Sequence, residues 1–66
     1  MFNGNQLRAE IVRAGMTQKQ VAESIGITPN TFSVKINSGT FGLDEAEKMI
    51  KLLGIQNPGA IFFGQQ

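Results

Sequence analysis

The sequence predicts an all-α protein, a compact bundle of about five short helices in a single domain spanning residues 1–66. Apolar residues recur at spacings of three and four, which is typical of helices with one buried face. Glycines and Thr-based or Asn-based caps separate these segments at short intervals. A chain of 66 residues supports one hydrophobic core. The sequence contains no strand pattern and no internal repeat.

The first helix is predicted from about Asn5 to Ala14. Leu7, Ile11 and Ala14 share one stripe of this segment. Gly15 follows directly and is suited to a left-handed C-terminal stop.

The second helix is predicted to run from Thr17 to Gly26. Thr17 and Gln20 have the spacing of a capping box, in which side chain and backbone satisfy each other's hydrogen bonds. Met16 and Val21 flank the cap as a hydrophobic staple. The predicted apolar face comprises Val21, Ala22 and Ile25.

The third helix is predicted from Thr28 to Asn37 and begins, like the second, with a threonine N-cap. Thr28 is the N-cap and Pro29 takes the first helical position, where its missing N–H costs nothing. Phe32 and Ile36 form the buried face. Asn37-Ser38-Gly39 has a loop composition that ends the helix.

Two further helices complete the predicted bundle. The fourth begins at Gly42 or Leu43 and ends at Gly54, and a short fifth turn follows Asn57-Pro58. The predicted apolar stripe of the fourth helix comprises Leu43, Ala46, Met49, Ile50 and Leu53. Phe62 and Phe63 cannot both face the core from one short turn, so either one of them is exposed or both fold partly under the C-terminus.

The composition argues against several functions. The chain has no His and no Cys, so the usual zinc and transition-metal ligand sets are missing. It has no phosphate-binding glycine loop, and its acids cluster at a helix start rather than in a cleft. We therefore expect no catalytic residue, metal, cofactor or small-molecule substrate. With no visible signal peptide or membrane span, we expect a cytoplasmic protein without a membrane partner.

The second and third predicted helices, about residues 17–37, match the requirements of a helix-turn-helix unit. In such a unit one helix crosses the DNA backbone and the next lies in the major groove, so the turn between them must be tight. Ala22 allows the helix backbones to approach, and Gly26 permits the sharp reversal. The net charge of +1 is a weak indication of a nucleic-acid partner. The N-terminal two-thirds is the more basic part, because its basic residues outnumber its acids while three acids lie together at residues 44–47.

The stretch from Met16 to Asn37, MTQKQVAESIGITPNTFSVKIN, resembles the phage repressor and Cro-like family, also called the xenobiotic-response-element family of regulators. The resemblance covers nearly the whole chain, from about Leu7 to Phe62. It implies a lambda-repressor-like DNA-binding domain of about five helices. It also implies a transcriptional regulator of phage or prophage type that binds a palindromic operator in double-stranded DNA as a homodimer.

Carried over by position, the resemblance implies two sets of DNA contacts. The residues expected to face base edges are Pro29, Asn30, Ser33 and Val34. The residues expected to contact phosphates are Gln18, Lys19, Thr28, Lys35, Asn37, Ser38 and Thr40. Asn30 is the strongest candidate, because an Asn amide can pair bidentately with adenine in the major groove.

Two positions depart from the family pattern. Lys35 stands where many members carry an apolar core residue, and Ile36 takes over the burial one position later. This shift predicts that the end of the third helix is rotated or kinked. Ile11 and Ile36 replace an Arg–Glu pair of better-known repressors, and an apolar pair can serve there because burying an ion pair costs desolvation energy.

An alternative function remains open on the same fold. The chain could be a protein-interaction module, an antitoxin or an anti-repressor partner, with the apolar segment Ile61-Phe62-Phe63 as its contact surface. This alternative predicts no preferred DNA sequence.

Overall fold

A computed structural model describes residues 2–63 of the chain, and five α-helices and their connections make up this part. The helices are α1 (Gly4–Arg13), α2 (Gln18–Ile25), α3 (Pro29–Ser38), α4 (Leu43–Leu53) and α5 (Pro58–Phe62). Residues 2–63 contain no strand. The predicted all-α bundle is therefore confirmed, with α1 shifted by one residue toward the N-terminus. The outer ends of the predicted domain, residue 1 and residues 64–66, lie outside the described residues.

The N-termini of α2 and α3 are capped as the sequence predicts. Thr17 Oγ1 accepts the backbone N–H of Gln20 at 3.1 Å, and Gln20 Oε1 accepts the backbone N–H of Thr17 at 2.9 Å. Thr28 Oγ1 accepts the backbone N–H of Thr31 at 3.1 Å. These bonds satisfy N–H groups that have no partner within a helix, so both helices begin at defined residues.

A three-residue turn, residues 26–28, joins α2 to α3. Gly26 has φ +86° in the left-handed region, and the N–H of Ile27 donates to the carbonyl of Ala22 at 3.0 Å. This bond closes the end of α2 in the manner of a Schellman motif and turns Ile27 back toward the core. The chain therefore reverses within a few residues and α3 packs against α2.

Side chains from all five helices build one core. The residues of the buried cluster are Leu7, Ile11, Val21, Ala22, Ile25, Phe32, Ile36, Met49, Leu53, Ile55 and Ile61. Ile11 and Ile36 are each 2% exposed, so both apolar side chains are buried in this cluster. No buried polar or charged residue occurs within residues 2–63.

One member of the predicted stripe of α4 is exposed. Leu43 is 64% exposed, whereas Ala46, Met49 and Leu53 are buried. At about 100° per residue, Leu43 lies roughly a quarter of a turn from the centre of the buried face. The prediction that Leu43 belongs to the core was therefore wrong, because the stripe is narrower than the sequence spacing suggested.

The N-terminal segment and α5 close the bundle near the end of α3. The N–H of Asn3 donates to the carbonyl of Ile61 at 2.7 Å, and the rings of Phe2 and Phe62 lie 5.9 Å apart. A Cβ on Gly4 would lie 2.9 Å from the carbonyl oxygen of Ile36, so the start of α1 passes very close to α3. Phe62 is half-buried and Phe63 is 56% exposed, so of the two alternatives for these rings the structure shows the one with an exposed ring.

No helix within residues 2–63 combines the length and the apolar character needed to cross a membrane.

We expect Gly26→Ala to lower the free energy of unfolding by about 1–2 kcal/mol, because an L side chain resists the left-handed conformation. No atom lies within 4 Å of a Cβ built at Gly26, so the effect comes from the backbone rather than from a clash. Urea denaturation provides the measurement. Gly26→Asn is the matched control, because Asn tolerates the left-handed conformation better than Ala and should cost less. Equal effects of the two substitutions would contradict this account of the turn.

Candidate nucleic-acid interface

One face of α3 is open to solvent along its length. Asn30, Ser33, Val34 and Asn37 are all exposed, and Val34 is 59% exposed. At 3.6 residues per turn these four side chains fall within an arc of roughly 100°. The opposite side of the helix carries the buried face. We call these four residues the α3 stripe.

The first turns of α2 and α3 also carry exposed residues. Gln18 and Lys19 follow the Thr17 cap, and Thr28 and Pro29 begin α3. A helix N-terminus carries partial positive charge from its unpaired N–H groups. The start of α2 therefore combines an amide, a cationic side chain and a favourable helix end for an anion.

The candidate residues divide into two groups according to their hydrogen bonds. Within residues 2–63, the side chains of Gln18, Lys19, Asn30 and Ser33 make no hydrogen bond to the protein. The side chains of Thr28, Lys35, Asn37, Ser38 and Thr40 all have protein partners. The first group is thus available to a ligand without breaking an internal bond.

Lys35 binds α4. Its Nζ lies 2.7 Å and 2.9 Å from the two carboxylate oxygens of Glu45. The side chains are 27% and 17% exposed, so this ion pair is largely shielded from water. The Lys35 hydrogen bond, with help from the backbone N–H of Gly42, holds the pKa of Glu45 below its ordinary value.

The Lys35–Glu45 ion pair explains how a cationic side chain is accommodated next to the buried face of α3. The ammonium group reaches Glu45 at the edge of the core, and Phe32 and Ile36 remain buried on the adjacent side. α3 continues as one helix from Pro29 to Ser38, so the predicted kink is not seen. The phosphate contact of Lys35 stays a prediction, and in this structure its charge is directed to Glu45.

The end of α3 contains a second set of internal bonds. Ser38 Oγ donates to the carbonyl of Val34 at 2.8 Å and lies 2.9 Å from Thr40 Oγ1. Asn37 Oδ1 accepts from Arg8 Nη2 at 2.6 Å. Arg8 was missed by the sequence reasoning, because spacing along α1 does not reveal that it reaches the end of α3.

A groove of about 460 Å³ lies on another side of the bundle, lined by residues of α1, α5 and the loop before α5. At its edge, Arg13 forms an ion pair with Glu10 at 2.6 Å and donates to the carbonyl of Leu53 at 2.8 Å. Arg13 therefore ties the end of α1 to the end of α4. No group of three or more acidic, His or Cys residues within residues 2–63 could hold a metal ion.

Comparisons of the chain with protein-family models, curated proteins and solved structures found no match in any of the three. Any function assigned to the protein therefore depends on the chemistry of the α3 stripe and of the exposed first turns of α2 and α3.

Glu45→Gln should lower the free energy of unfolding by about 1 kcal/mol at pH 7, because it removes the charge of a shielded pair. The amide oxygen can still accept the N–H of Gly42. A carboxyl with a lowered folded pKa stabilises the protein above its ordinary unfolded pKa, and this stabilisation is lost as pH falls through the folded pKa. The difference between parent and variant should therefore disappear in acid.

Urea denaturation from pH 7 to pH 2 measures this difference. Glu47→Gln is the matched control, since Glu47 is an exposed acid on the same helix. Parallel pH profiles for the two variants would rule out a stabilising role of the Lys35–Glu45 ion pair.

Proposed function

We propose that this protein is a cytoplasmic transcriptional regulator that binds double-stranded DNA sequence-specifically, with α2 and α3 as a helix-turn-helix unit. The observation that carries the proposal is the α3 stripe. It is exposed, mixed in polarity and placed on a helix whose position is fixed by a buried face and a three-residue turn.

The chemistry of the stripe suits base edges in the major groove, which is wide enough to admit an α-helix. The amide of Asn30 offers a donor and an acceptor to the matching pair on adenine. Ser33 can donate or accept, and Val34 presents methyl groups to a thymine methyl. Pro29, at the start of α3, is the remaining candidate for a base contact.

Phosphate contacts would come from the residues around the stripe. Gln18 offers amide donors at a helix N-terminus, and Lys19 offers a cation beside it. The Lys35–Glu45 ion pair contributes indirectly, because Lys35 neutralises a carboxylate that would otherwise repel phosphates near α3. Thr28, Ser38 and Thr40 are polar neighbours of the same surface.

Dimerisation would supply the affinity that one copy lacks. The net charge is +1, and few cationic side chains surround α3, so a single copy makes few phosphate contacts. Two copies on a palindromic operator double these contacts and the number of bases read. This is the arrangement implied by the resemblance to phage repressors and Cro-like proteins.

Selection from random duplex DNA tests the proposal directly. The purified protein should enrich a palindromic motif whose half-sites are centred about one helical turn, or a multiple of it, apart. Enrichment of no motif after repeated rounds would contradict sequence-specific binding. That outcome would instead favour the antitoxin or anti-repressor alternative, for which the exposed ring of Phe63 is the supporting observation.

Two substitutions separate base contacts from phosphate contacts. Asn30→Ala should weaken binding to the selected duplex by about 1–3 kcal/mol and relax the preference at one base pair. Gln18→Ala should weaken binding to the selected duplex and to a duplex of scrambled sequence to the same extent. Fluorescence anisotropy measures the affinity of each of the two variants for each of the two duplexes.

Gln56→Ala is the matched control, because Gln56 is an exposed amide in the loop before α5 and should leave both affinities unchanged. If Asn30→Ala behaved like this control, Asn30 would not read a base.

A further inference from the structure

Arg8 connects α1 to the last turn of α3. It lies one helical turn after Gly4, where α1 passes closest to α3. Its guanidinium donates from Nη1 to Asn5 Oδ1 at 3.2 Å and from Nη2 to Asn37 Oδ1 at 2.6 Å. Arg8 forms no ion pair with an acid among residues 2–63, so its charge is not neutralised by a carboxylate there.

The bond to Arg8 determines which way the Asn37 amide points. A guanidinium carries donors only, so the atom of Asn37 that faces it must be the carbonyl oxygen. The amide nitrogen of Asn37, with its two N–H groups, is therefore directed away from Arg8. Because Asn37 is exposed, the amide offers solvent a donor group rather than an acceptor. Phosphate oxygens only accept hydrogen bonds, so this orientation suits a phosphate.

The other polar side chains near this end of α3 are engaged in internal hydrogen bonds. Ser38 uses its hydroxyl proton on the carbonyl of Val34, so the proton between Ser38 and Thr40 comes from Thr40. Lys35 is held by Glu45. The C-terminus of a helix also carries partial negative charge, which repels an anion unless a cation is nearby. Arg8 provides that cation.

We infer that Arg8 is a positioning residue for Asn37, and that the two form a donor pair for one DNA phosphate at the C-terminal end of α3. This inference rests on the proposed function. Arg8 holds the amide in its donor orientation and offsets the negative helix end with its own charge. Asn37 then donates to the phosphate, and the remaining N–H groups of Arg8 support it.

The test uses the whole chain and a labelled duplex of about 20 base pairs carrying the selected motif, with affinity measured over a series of salt concentrations. Arg8→Ala should weaken binding about tenfold. It should also reduce the slope of log affinity against log salt concentration by the amount that corresponds to about one phosphate contact. Asn37→Ala should weaken binding severalfold, and the double variant should bind about as weakly as Arg8→Ala alone. Such non-additivity is expected if Arg8 acts through Asn37.

Arg8→Lys keeps the charge and one donor, so it should restore most of the affinity and the full salt dependence. Lys51→Ala is the matched control for a lost charge, since Lys51 is exposed on α4, and it should change the affinity less than twofold. Thermal unfolding of each variant detects a loss of stability. A loss of stability alone would not change how steeply the affinity depends on salt, and it would not account for the recovery of binding in Arg8→Lys.

The outcomes separate the two proposals. Parent-like affinity and salt dependence in Arg8→Ala would overturn the role of Arg8 and leave DNA binding intact. Additive effects of Arg8→Ala and Asn37→Ala would overturn the positioning role. If the parent protein bound neither the selected duplex nor a random duplex, both the proposed function and this inference would fall.

Discussion

The close packing of α2 on α3 is the constraint on which the rest of the structure depends. Ala22 is fully buried in the core, and Gly26 takes the left-handed conformation that ends α2. The bond from Ile27 to Ala22 closes the turn between them. A larger side chain at Ala22 or a strained residue at Gly26 would move α3 as a whole. The direction of the α3 stripe therefore depends on two small residues that are not part of the stripe.

Contacts at several points fix the position of α3, so one side of the helix stays buried and the other stays exposed. Phe32 and Ile36 fill the core, and the Lys35–Glu45 ion pair fixes α3 to α4. At the far end, Arg8 holds Asn37 from α1. These contacts restrict the rotation of α3 about its axis. A helix with restricted rotation presents its exposed side chains in one arrangement, which is what recognition of a base sequence requires.

The sequence predicted the local features of this fold well. Caps, glycine stops and buried positions depend on residues within one or two helical turns, and their spacing is visible in the chain. The exposure of Leu43 was not predicted, because spacing alone does not define the width of a buried stripe. The Lys35–Glu45 and Arg8–Asn37 contacts join residues 10 and 29 positions apart. Such pairs depend on how helices are packed, and helical periodicity carries no information about them.

Mapping of backbone amide chemical shifts by NMR, during titration with the selected duplex, tests the central claim most directly. The account predicts that the largest changes fall on the first turn of α2 and on α3, around Gln18, Asn30 and Ser33. Amides of α5 should change little. The largest changes at α5 and Phe63, with α3 unaffected, would contradict the claim that α3 is the surface that binds DNA.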